Sequence, residues 1–355
     1  MNKHTKIVAG LMLCFSTILS AQVDTVGIFN FSAYAEVYYS YDFANPNDHE
    51  KPNFIYNHKR HNEVNGNLFV LKGNYTERNI RANLALMSGN YAQYNLSSEP
   101  TWAQFMYEAN IGAKLSKKHS LWLDAGIMPS HIGFESAISA DCWTLTRSIL
   151  AENSPYYETG VKLSYVNSKE NLSLALLVLN GWQRIQRLDH NQQPSIGFQF
   201  NYKPLDFVTI NYSNFIGTVL PDSLDALRSF HNFYLQFEPK SKFSLLLGFD
   251  IGTDKFNSTD YGIWYSPVAI IRYAINNKTR IAVRGEYYND KQQIIIPTNT
   301  TNGFQVLSLS ANLDFKINKN TQFRIEGKVF QSKDNIFLEN QNQNYSITTN
   351  LTIRL

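Results

Sequence analysis

A base, a nucleophile and an acid of the kinds that hydrolases use lie close together in one stretch of this sequence: His131, Ser136 and Asp141. Catalysis needs these groups within hydrogen-bond reach of one another, and nearness along the chain does not provide that geometry. The residues around Ser136 also match no familiar nucleophile motif. We therefore assign no catalytic residue and expect no enzyme, while a hydrolase stays open as an alternative.

A second group of candidate side chains lies nearer the N-terminus. His49, His58 and His61 occur together with Asp48 and Glu50, and imidazole and carboxylate groups are the ligands that bind zinc. Their spacing matches no familiar metal site. We interpret the stretch as a solvated loop, and we expect neither a metal nor any other cofactor.

Charges of both signs mark two parts of the chain. The stretch 129–157 carries Glu135, Asp141, Arg147 and Glu152, and arginines recur on one face of the later segments at Arg280, Arg284, Arg324 and Arg354. A basic surface facing acidic residues across water would set up a field that sorts solutes by charge and dipole. Alternatively, the same charges form salt bridges that hold the stretch in place. Both interpretations stay open, although for Arg147 we favour a structural role because a guanidinium fork binds carboxylates or carbonyls well.

The elements that would position these charges are indicated by an alternation of apolar and polar residues. Residues 29–43, FNFSAYAEVYYSYDF, place apolar and aromatic side chains at odd positions and mostly polar ones at even positions. A period of two is typical of a β-strand with two different faces. Tilted strands that cross a membrane need about 9 to 11 residues, and this alternation is longer than a usual strand of a soluble sheet.

Connectors of two sizes separate the alternating segments, and the sizes alternate along the chain. The short connectors are 74–78, 116–120, 167–171, 203–206, 238–242, 276–279 and 318–321, and the long ones are 44–59, 89–101, 129–157, 183–194, 217–229, 252–263, 290–303 and 332–344. Short turns on one side and long loops on the other are typical of outer-membrane barrels. We therefore predict an all-β fold, a transmembrane antiparallel β-barrel of about 16 strands, over residues 22–355.

The N-terminal residues predict export. Two lysines precede an apolar run from Ile7 to Leu19, and small residues follow, so we expect a signal peptide at residues 1–21. The whole chain has 32 basic and 29 acidic residues, and loss of the two lysines leaves 30 against 29. This balance predicts no nucleic-acid partner. Cys142 would be the remaining cysteine, which excludes a disulfide within the chain.

Composition and the C-terminal residues also favour a lipid-facing barrel. Only 17% of residues are charged, against about 25% in ordinary soluble domains, and the chain has 21 Tyr and 23 Phe. The last residues, NYSITTNLTIRL, alternate and end inside a predicted strand. That ending resembles the signal that the barrel assembly machinery reads. We expect this machinery and outer-membrane lipid as partners, and a homo-oligomer is left open.

The stretch that interrupts the alternation resembles a known family. Residues 128–165, followed by NGWQR at Asn180–Arg184, are similar to the signature of the OmpL-like β-barrel porins of Gram-negative outer membranes. The matching positions are Gly133, Phe134, Glu135, Thr146, Arg147, Ser148, Pro155, Tyr156, Tyr157 and Gly160. The rest of the chain matches by architecture. The resemblance implies transport as the activity and the cell outer membrane of a Gram-negative bacterium as the location.

The same stretch lies in the third long connector, which in sixteen-stranded porins commonly folds inward and narrows the channel. We predict that residues 129–157 form such a constriction, lined by the charged residues named above. The predicted function is a porin that lets small hydrophilic solutes diffuse passively through a charged, loop-narrowed channel. An outer-membrane barrel hydrolase and a plugged structural or adhesion barrel are the alternatives.

Overall fold

The computed structural model describes residues 27–224, 226–255 and 261–355, and the predicted signal peptide lies outside the described residues. Sixteen strands account for most of the described chain. Their bounds are β1 Ile28–Asp42, β2 Val64–Thr76, β3 Ile80–Ser88, β4 Met106–Lys114, β5 Ser120–Pro129, β6 Tyr157–Val166, β7 Leu172–Leu179, β8 Ser195–Leu205, β9 Val208–Thr218, β10 Leu227–Phe237, β11 Phe243–Lys255, β12 Tyr261–Ala274, β13 Thr279–Asp290, β14 Phe304–Lys316, β15 Thr321–Ser332 and β16 Gln343–Arg354. In the part of the chain that the structure describes, no helix is long and apolar enough to cross a membrane.

The strands form one closed antiparallel barrel. Each strand pairs with its neighbour in the chain, and β1 also pairs with β16, where Tyr34 lies opposite Arg354 and Asp42 lies opposite Ser346. Closure pairs the backbone groups of both edge strands, which lipid would otherwise leave unsatisfied at a cost of several kcal/mol each. The predicted all-β barrel of 16 strands is confirmed.

Short turns lie at one end of the barrel and long loops at the other, called here the turn end and the loop end. The loops are loop 1 (43–63), loop 2 (89–105), loop 3 (130–156), loop 4 (180–194), loop 5 (219–226), loop 7 (291–303) and loop 8 (333–342). The sixth long connector, predicted at 252–263, is wrong in its bounds. Pairing continues to Lys255 opposite Tyr261, because the inner wall of the barrel accepts the polar residues that suggested a loop.

Side chains alternate across the wall as the period of two predicts. In β1, Tyr34, Glu36 and Tyr38 are buried inside the barrel, whereas Val37 and Tyr39 face outward and are exposed. The other strands also present large apolar side chains on the outside, among them Leu71, Leu84, Ile111, Leu176, Val283, Leu307 and Leu309. An outer apolar surface around a polar inner wall is what a barrel in lipid requires.

The barrel interior at the loop end is packed with apolar side chains. Inward-facing residues of β7 to β15 form one cluster, which contains Leu177, Phe215, Phe230, Trp264, Tyr288, Phe304, Val306 and Phe330. Phe54 of loop 1 and Ile149 of loop 3 pack into this cluster. A second cluster lines β2 to β6 and receives Leu96 of loop 2. Loops 1, 2 and 3 are therefore part of the core of the molecule.

Loop 1 is solvated as predicted at Asp48 and His49, which are exposed, but the prediction fails for His58 and His61. His58 is fully buried, and its Nε2 lies 2.8 Å from Oε1 of Glu36 on the inner face of β1. His61 is also buried, and its Nδ1 accepts a hydrogen bond of 2.8 Å from the Asp42 N–H. Burial lowers the pKa of His58, although Glu36 acts in the opposite direction. The prediction was wrong because it counted polar residues as solvated, whereas inward-facing polar groups of the wall supply them with partners.

Candidate functional site

Loop 3 contacts inward-facing side chains on separate parts of the barrel wall. Gly133 donates its N–H to Oδ1 of Asn232 on β10, at 3.3 Å. Leu145 donates its N–H to Oδ1 of Asn312 on β14, at 3.1 Å. The loop therefore lies between inner walls that are separated in the circuit of strands, and the side chains at these contacts form the candidate site.

Arg284 of β13 is the centre of the contact between loop 3 and the wall. The residue is completely buried, and its guanidinium faces three carboxylates. The distances are 3.5 Å from Nη1 to Glu135, 3.0 Å from Nη2 to Glu326 and 3.4 Å from Nε to Glu286. Nη1 also donates to the Thr146 carbonyl at 2.7 Å. One carboxylate of the loop and two of the wall thus share one buried cation in direct ion-pair contact.

The two glutamates of this network also bind the loop backbone. Oε2 of Glu286 accepts the N–H of Ile149 at 2.6 Å, and Oε2 of Glu326 accepts the N–H of Thr146 at 2.6 Å. Lys328 lies beside them, with its Nζ 3.0 Å from Glu286. The period of two predicts that these three charged residues lie on the inner wall, but the predicted site does not include them.

Arg324 of β15 binds the first half of loop 3. Its Nε donates to Asp314 of the neighbouring strand at 2.6 Å, and its Nη1 and Nη2 donate to the carbonyls of Ser139 (2.8 Å) and Cys142 (3.2 Å). The residue is fully buried. Its guanidinium is therefore an anchor for the loop and has no contact with water.

The remaining predicted charges lie at the edge of the loop that faces the turn end. Asp141 and Arg354 form an ion pair of 2.7 Å, and their side chains are 46% and 49% exposed. Arg280 is exposed, and it lines a cavity of about 330 Å³ together with Asp141 and Trp143. Arg272 places its guanidinium 4.2 Å from the Trp143 ring centroid in the same cavity. Of the predicted charges, these three (Asp141, Arg280 and Arg354) remain in contact with water.

Arg147 links two parts of loop 3 to each other. Its Nε donates to the carbonyl of Ser136 (2.6 Å), its Nη2 to that of Ala137 (2.9 Å) and its Nη1 to that of Leu145 (2.8 Å). The side chain is completely buried. A planar fork that satisfies three carbonyls fixes the path of a segment that has no sheet partner, which agrees with the structural role favoured from the sequence.

The other two predicted acids are turned toward loop backbone. Glu135 accepts hydrogen bonds from the N–H of Ser148, at 2.9 Å, and from its hydroxyl. Oε2 of Glu152 accepts the N–H groups of Tyr56 (2.9 Å) and Asn57 (3.1 Å) in loop 1. Burial raises the pKa of Glu152, and these donors oppose that shift. Glu152 thus joins loop 3 to loop 1 and is turned away from the wall arginines.

His131 ties the start of loop 3 to two strands. Its Nδ1 lies 2.9 and 2.8 Å from the carboxylate oxygens of Glu158 on β6, and its Nε2 lies 2.7 Å from the carbonyl of Asn214 on β9. Both nitrogens face acceptors, so the doubly protonated imidazolium satisfies both contacts. Burial acts to lower the pKa of His131, but Glu158 and the Asn214 carbonyl raise it above 6.5 overall.

The side chains that suggested a hydrolase are not brought together. His131 is occupied at both nitrogens, the Ser136 hydroxyl donates to the Ile138 carbonyl at 3.1 Å, and Asp141 pairs with Arg354. Ser136 therefore has no contact with an activating base. In loop 1, His58 pairs with Glu36 away from the other histidines, and the described part of the chain holds no cluster of His, Cys, Asp and Glu suited to a metal.

The motif residues at the end of loop 3 connect it to the other loops. The Tyr156 hydroxyl accepts a hydrogen bond of 3.2 Å from Asn57 of loop 1, and the Tyr157 hydroxyl donates to Glu99 of loop 2 at 3.1 Å. At Gly160 a Cβ atom would lie 2.0 Å from a carbonyl oxygen of the neighbouring strand, so only glycine fits. The motif residues thus make contacts that fix three loops inside one barrel.

Comparison with known proteins gives a family and a fold. The family model described as "Putative beta-barrel porin-2, OmpL-like" matches residues 28–355, and this is the family that the loop 3 motif resembles. No curated protein matches the chain.

Several solved structures, a porin among them, have a similar fold at very low identity. The anion-selective porin from Comamonas acidovorans has a TM-score of 0.60 at 8% identity, with 93% of this chain and 100% of that chain covered. Salmonella typhi OmpF, in complex with daunomycin, has a TM-score of 0.62 at 10% identity, with 92% and 97% covered. The trimer form of in-vitro folded Vibrio cholerae OmpT has a TM-score of 0.56 at 9% identity, with 92% and 100% covered.

Proposed function

Since this chain belongs to the OmpL-like family of β-barrel porins, we propose that it lets small hydrophilic solutes diffuse passively across the outer membrane of a Gram-negative bacterium. The observation that carries the proposal is the closed sixteen-stranded barrel with an apolar outside and a polar inner wall at the turn end. A barrel of 16 strands is wide enough for an aqueous channel. Diffusion needs no cofactor and no energy source.

Residues 129–157 narrow this channel in the proposed mechanism. Their contacts with Arg284, Arg324 and Asn312 hold the loop against the wall of β13 to β15. His131 ties its start to β6 and β9, so in this proposal solutes pass along the wall of β2 to β5. There the inner wall keeps partly exposed side chains such as Lys72 and Arg81. Charge selection falls to residues that stay in contact with water. Next to loop 3, the charged residues in contact with water are Asp141, Arg280 and Arg354. The buried arginines fix the shape of the opening.

Lipid, the barrel assembly machinery and a second copy of the chain are the proposed partners. The outer apolar surface supports contact with outer-membrane lipid. The Vibrio cholerae relative of the fold is known as a trimer, and we extend homo-oligomerisation to this chain as a proposal. Small residues on the outside of neighbouring strands, such as Ala33, Ala82, Ala109 and Ala125, leave a shallow apolar groove that would allow close approach of another barrel.

Conductance in planar bilayers tests the proposed function directly. Purified and folded full-length protein should produce stepwise, ohmic current increments without added substrate, because an open aqueous path needs no trigger. A heat-modifiable shift on gels provides the control that the sample is folded. Folded protein that inserts but gives no current steps would remove the porin proposal.

A plugged barrel is the second candidate, and one observation favours it. Phe215, Phe304 and Val306 are each 0% exposed although they face the interior at the loop end. Packed side chains therefore fill the interior of the barrel next to these residues. Such a barrel would serve a structural or adhesion role. The bilayer experiment separates the two candidates, since a plugged barrel would be folded, inserted and silent.

A further inference from the structure

Lys51 of loop 1 is a buried cation whose ammonium has no hydrogen-bond or ion-pair partner among the described side chains and carbonyls. Its residue is only 6% exposed. In the described part of the chain no acceptor takes a hydrogen bond from its ammonium, and no carboxylate lies within ion-pair distance of it. A buried charge normally has both kinds of partner, because its desolvation is otherwise uncompensated.

The other buried lysines and arginines that the structure describes are all satisfied. Each of them donates at least one hydrogen bond to a carboxylate or a carbonyl, and they are Lys59, Arg147, Arg228, Arg284, Arg324 and Lys328. This chain therefore pairs its buried cations as a rule. The exception at Lys51 indicates a partner that is supplied from outside the chain.

Lys51 lines a cavity of about 550 Å³ at the loop end of the barrel, between loops 1, 7 and 8. That volume lies within the range of about 300 to 1,000 Å³ that is usual for small-molecule sites. Apolar side chains form much of the lining, and they include Phe54, Ile295, Ile296, Phe304, Phe337 and Leu338. The cavity thus offers one free charge and an extended apolar surface.

Three carboxylates also line this cavity, and each already accepts at least one hydrogen bond. Asp48 accepts the N–H of Glu50 at 3.0 Å. Asp42 accepts hydrogen bonds from Asn344 at 2.8 and 3.0 Å and from the N–H of Ala44 at 3.0 Å. Glu50 accepts the Tyr94 hydroxyl at 2.8 Å and lies 3.4 Å from an arginine of its own loop. These acids leave the ammonium as the free group, and their negative charge disfavours a ligand with more than one charge.

We propose that this cavity binds a small monocarboxylate with an apolar body, whose carboxylate pairs with the Lys51 ammonium while its body lies against the apolar lining. The claim that the ligand binds depends only on the geometry of the cavity. The claim that this binding serves transport rests on the proposed porin function, in which the cavity concentrates such solutes at the loop-end mouth of the channel.

Binding should depend on pH in a defined direction. Burial lowers the pKa of Lys51 to about 8, against the opposing effect of Asp42 and Glu152. The charged or titratable groups around it come from β1, loop 1, loop 3 and β15, and they are Asp42, Asp48, Glu50, Tyr56, Glu152, Glu326 and Lys328. Because the ligand pairs with the protonated amine, affinity is full below pH 8 and falls by about tenfold per pH unit above it.

Calorimetric titration of the folded full-length protein with benzoate tests the proposal, with benzyl alcohol as the uncharged probe. Wild type should bind benzoate and bind benzyl alcohol at least about tenfold more weakly. Lys51→Met should reduce benzoate affinity by about tenfold or more, and it should fold because it removes an unpaired buried charge. Lys291→Met, at an exposed lysine of loop 7 outside the cavity lining, is the control, and it should leave benzoate binding unchanged.

Several results would overturn the proposal. Equal benzoate binding by wild type and Lys51→Met would do so, as would no binding by wild type. Displacement of benzoate by an equal concentration of chloride would show a general anion site and refute the ligand class.

If Lys51→Met failed to fold, a pH-independent benzoate affinity of wild type would be the refuting result. Benzoate binding by a protein that never conducts would remove the porin proposal and leave this one standing.

Discussion

The charged side chains predicted from the sequence divide into two groups by their contact with water. Arg147, Arg284 and Arg324 are completely buried and bind loop 3. Asp141 and Arg354 are about half exposed, and in the proposed channel they form the rim that a solute would meet. A buried ion pair adds little net stability over apolar packing, but loss of one partner leaves an uncompensated charge. The buried arginines are therefore structural in this chain.

Replacement of the buried Arg284 should cost more stability than replacement of an exposed arginine. Arg284→Met leaves three carboxylates without their shared cation, so we expect the free energy of unfolding to fall by about 3 to 5 kcal/mol. Arg280→Met, on the same strand but exposed, should change it by less than about 0.5 kcal/mol. Urea unfolding in lipid vesicles, followed by tryptophan fluorescence, measures both variants. Equal losses for the two would contradict the assignment.

The sequence could predict which way these residues point but not which residues they bind. The period of two placed Arg284 and Arg324 on the inner wall, because alternate side chains of a strand face opposite sides. The partner Glu135 lies 149 residues from Arg284 in the chain, and no local pattern encodes a contact across that separation. The same limit applies to Lys51, whose lack of a partner is visible only in the folded structure.

At the scale of elements, loop 3 is fixed at its start, its middle and its end. His131 binds β6 and β9 at the start, the arginines hold the middle, and Tyr156 contacts loop 1 at the end. A segment without sheet pairing needs such anchors to keep one conformation. The His131 side chain is titratable, so the pH dependence of its contribution to stability can be predicted, which is not possible for the arginines.

Removal of the imidazolium should cost stability in a pH-dependent way. We expect His131→Gln to lower the free energy of unfolding by about 1.5 to 3 kcal/mol at pH 6, since two hydrogen bonds to charged or carbonyl acceptors are weakened. The pKa of His131 is raised in the folded protein. Its contribution is thus fully present below pH 6.5 and is lost as pH rises through the folded pKa.

Chemical unfolding of wild type and His131→Gln across a pH series checks this prediction. The stability difference between the two proteins should shrink as pH rises. Glu158 and Lys162 are the charged groups that face the ring, and both are kept in the variant. A difference that stays constant or grows with pH would show that the histidine acts in its neutral form.

Loop 1 shows where sequence interpretation fails at the scale of an element. Its histidines and acids suggest a solvated loop. However, Phe54 and Ile55 are buried in the apolar cluster of the barrel, and their burial places the neighbouring polar residues inside the barrel as well. The short apolar pair is too brief to register as a pattern. By contrast, most strands were predictable because they repeat their alternation many times, although the connectors predicted at 217–229 and 252–263 extend into strands.

At the scale of the whole molecule, the barrel wall is balanced in charge without loop 3. Arg284, Arg324 and Lys328 lie among three acids of the same wall, which are Asp314, Glu286 and Glu326. Removal of the loop would therefore leave paired charges that water can reach, and it would break no strand pairing. The barrel should assemble without the loop, which makes the loop's role in the lumen accessible to experiment.

Single-channel conductance of a variant in which a short Gly/Ser linker replaces residues 135–154 tests the central claim most directly. The variant should show the same heat-modifiable gel shift as wild type, because the strands and their pairing are intact. Its conductance should rise and its ion selectivity should weaken, since the loop no longer occupies the lumen and the Asp141 side of the rim is gone. Unchanged conductance and selectivity in the folded variant would contradict the claim that this loop narrows the channel.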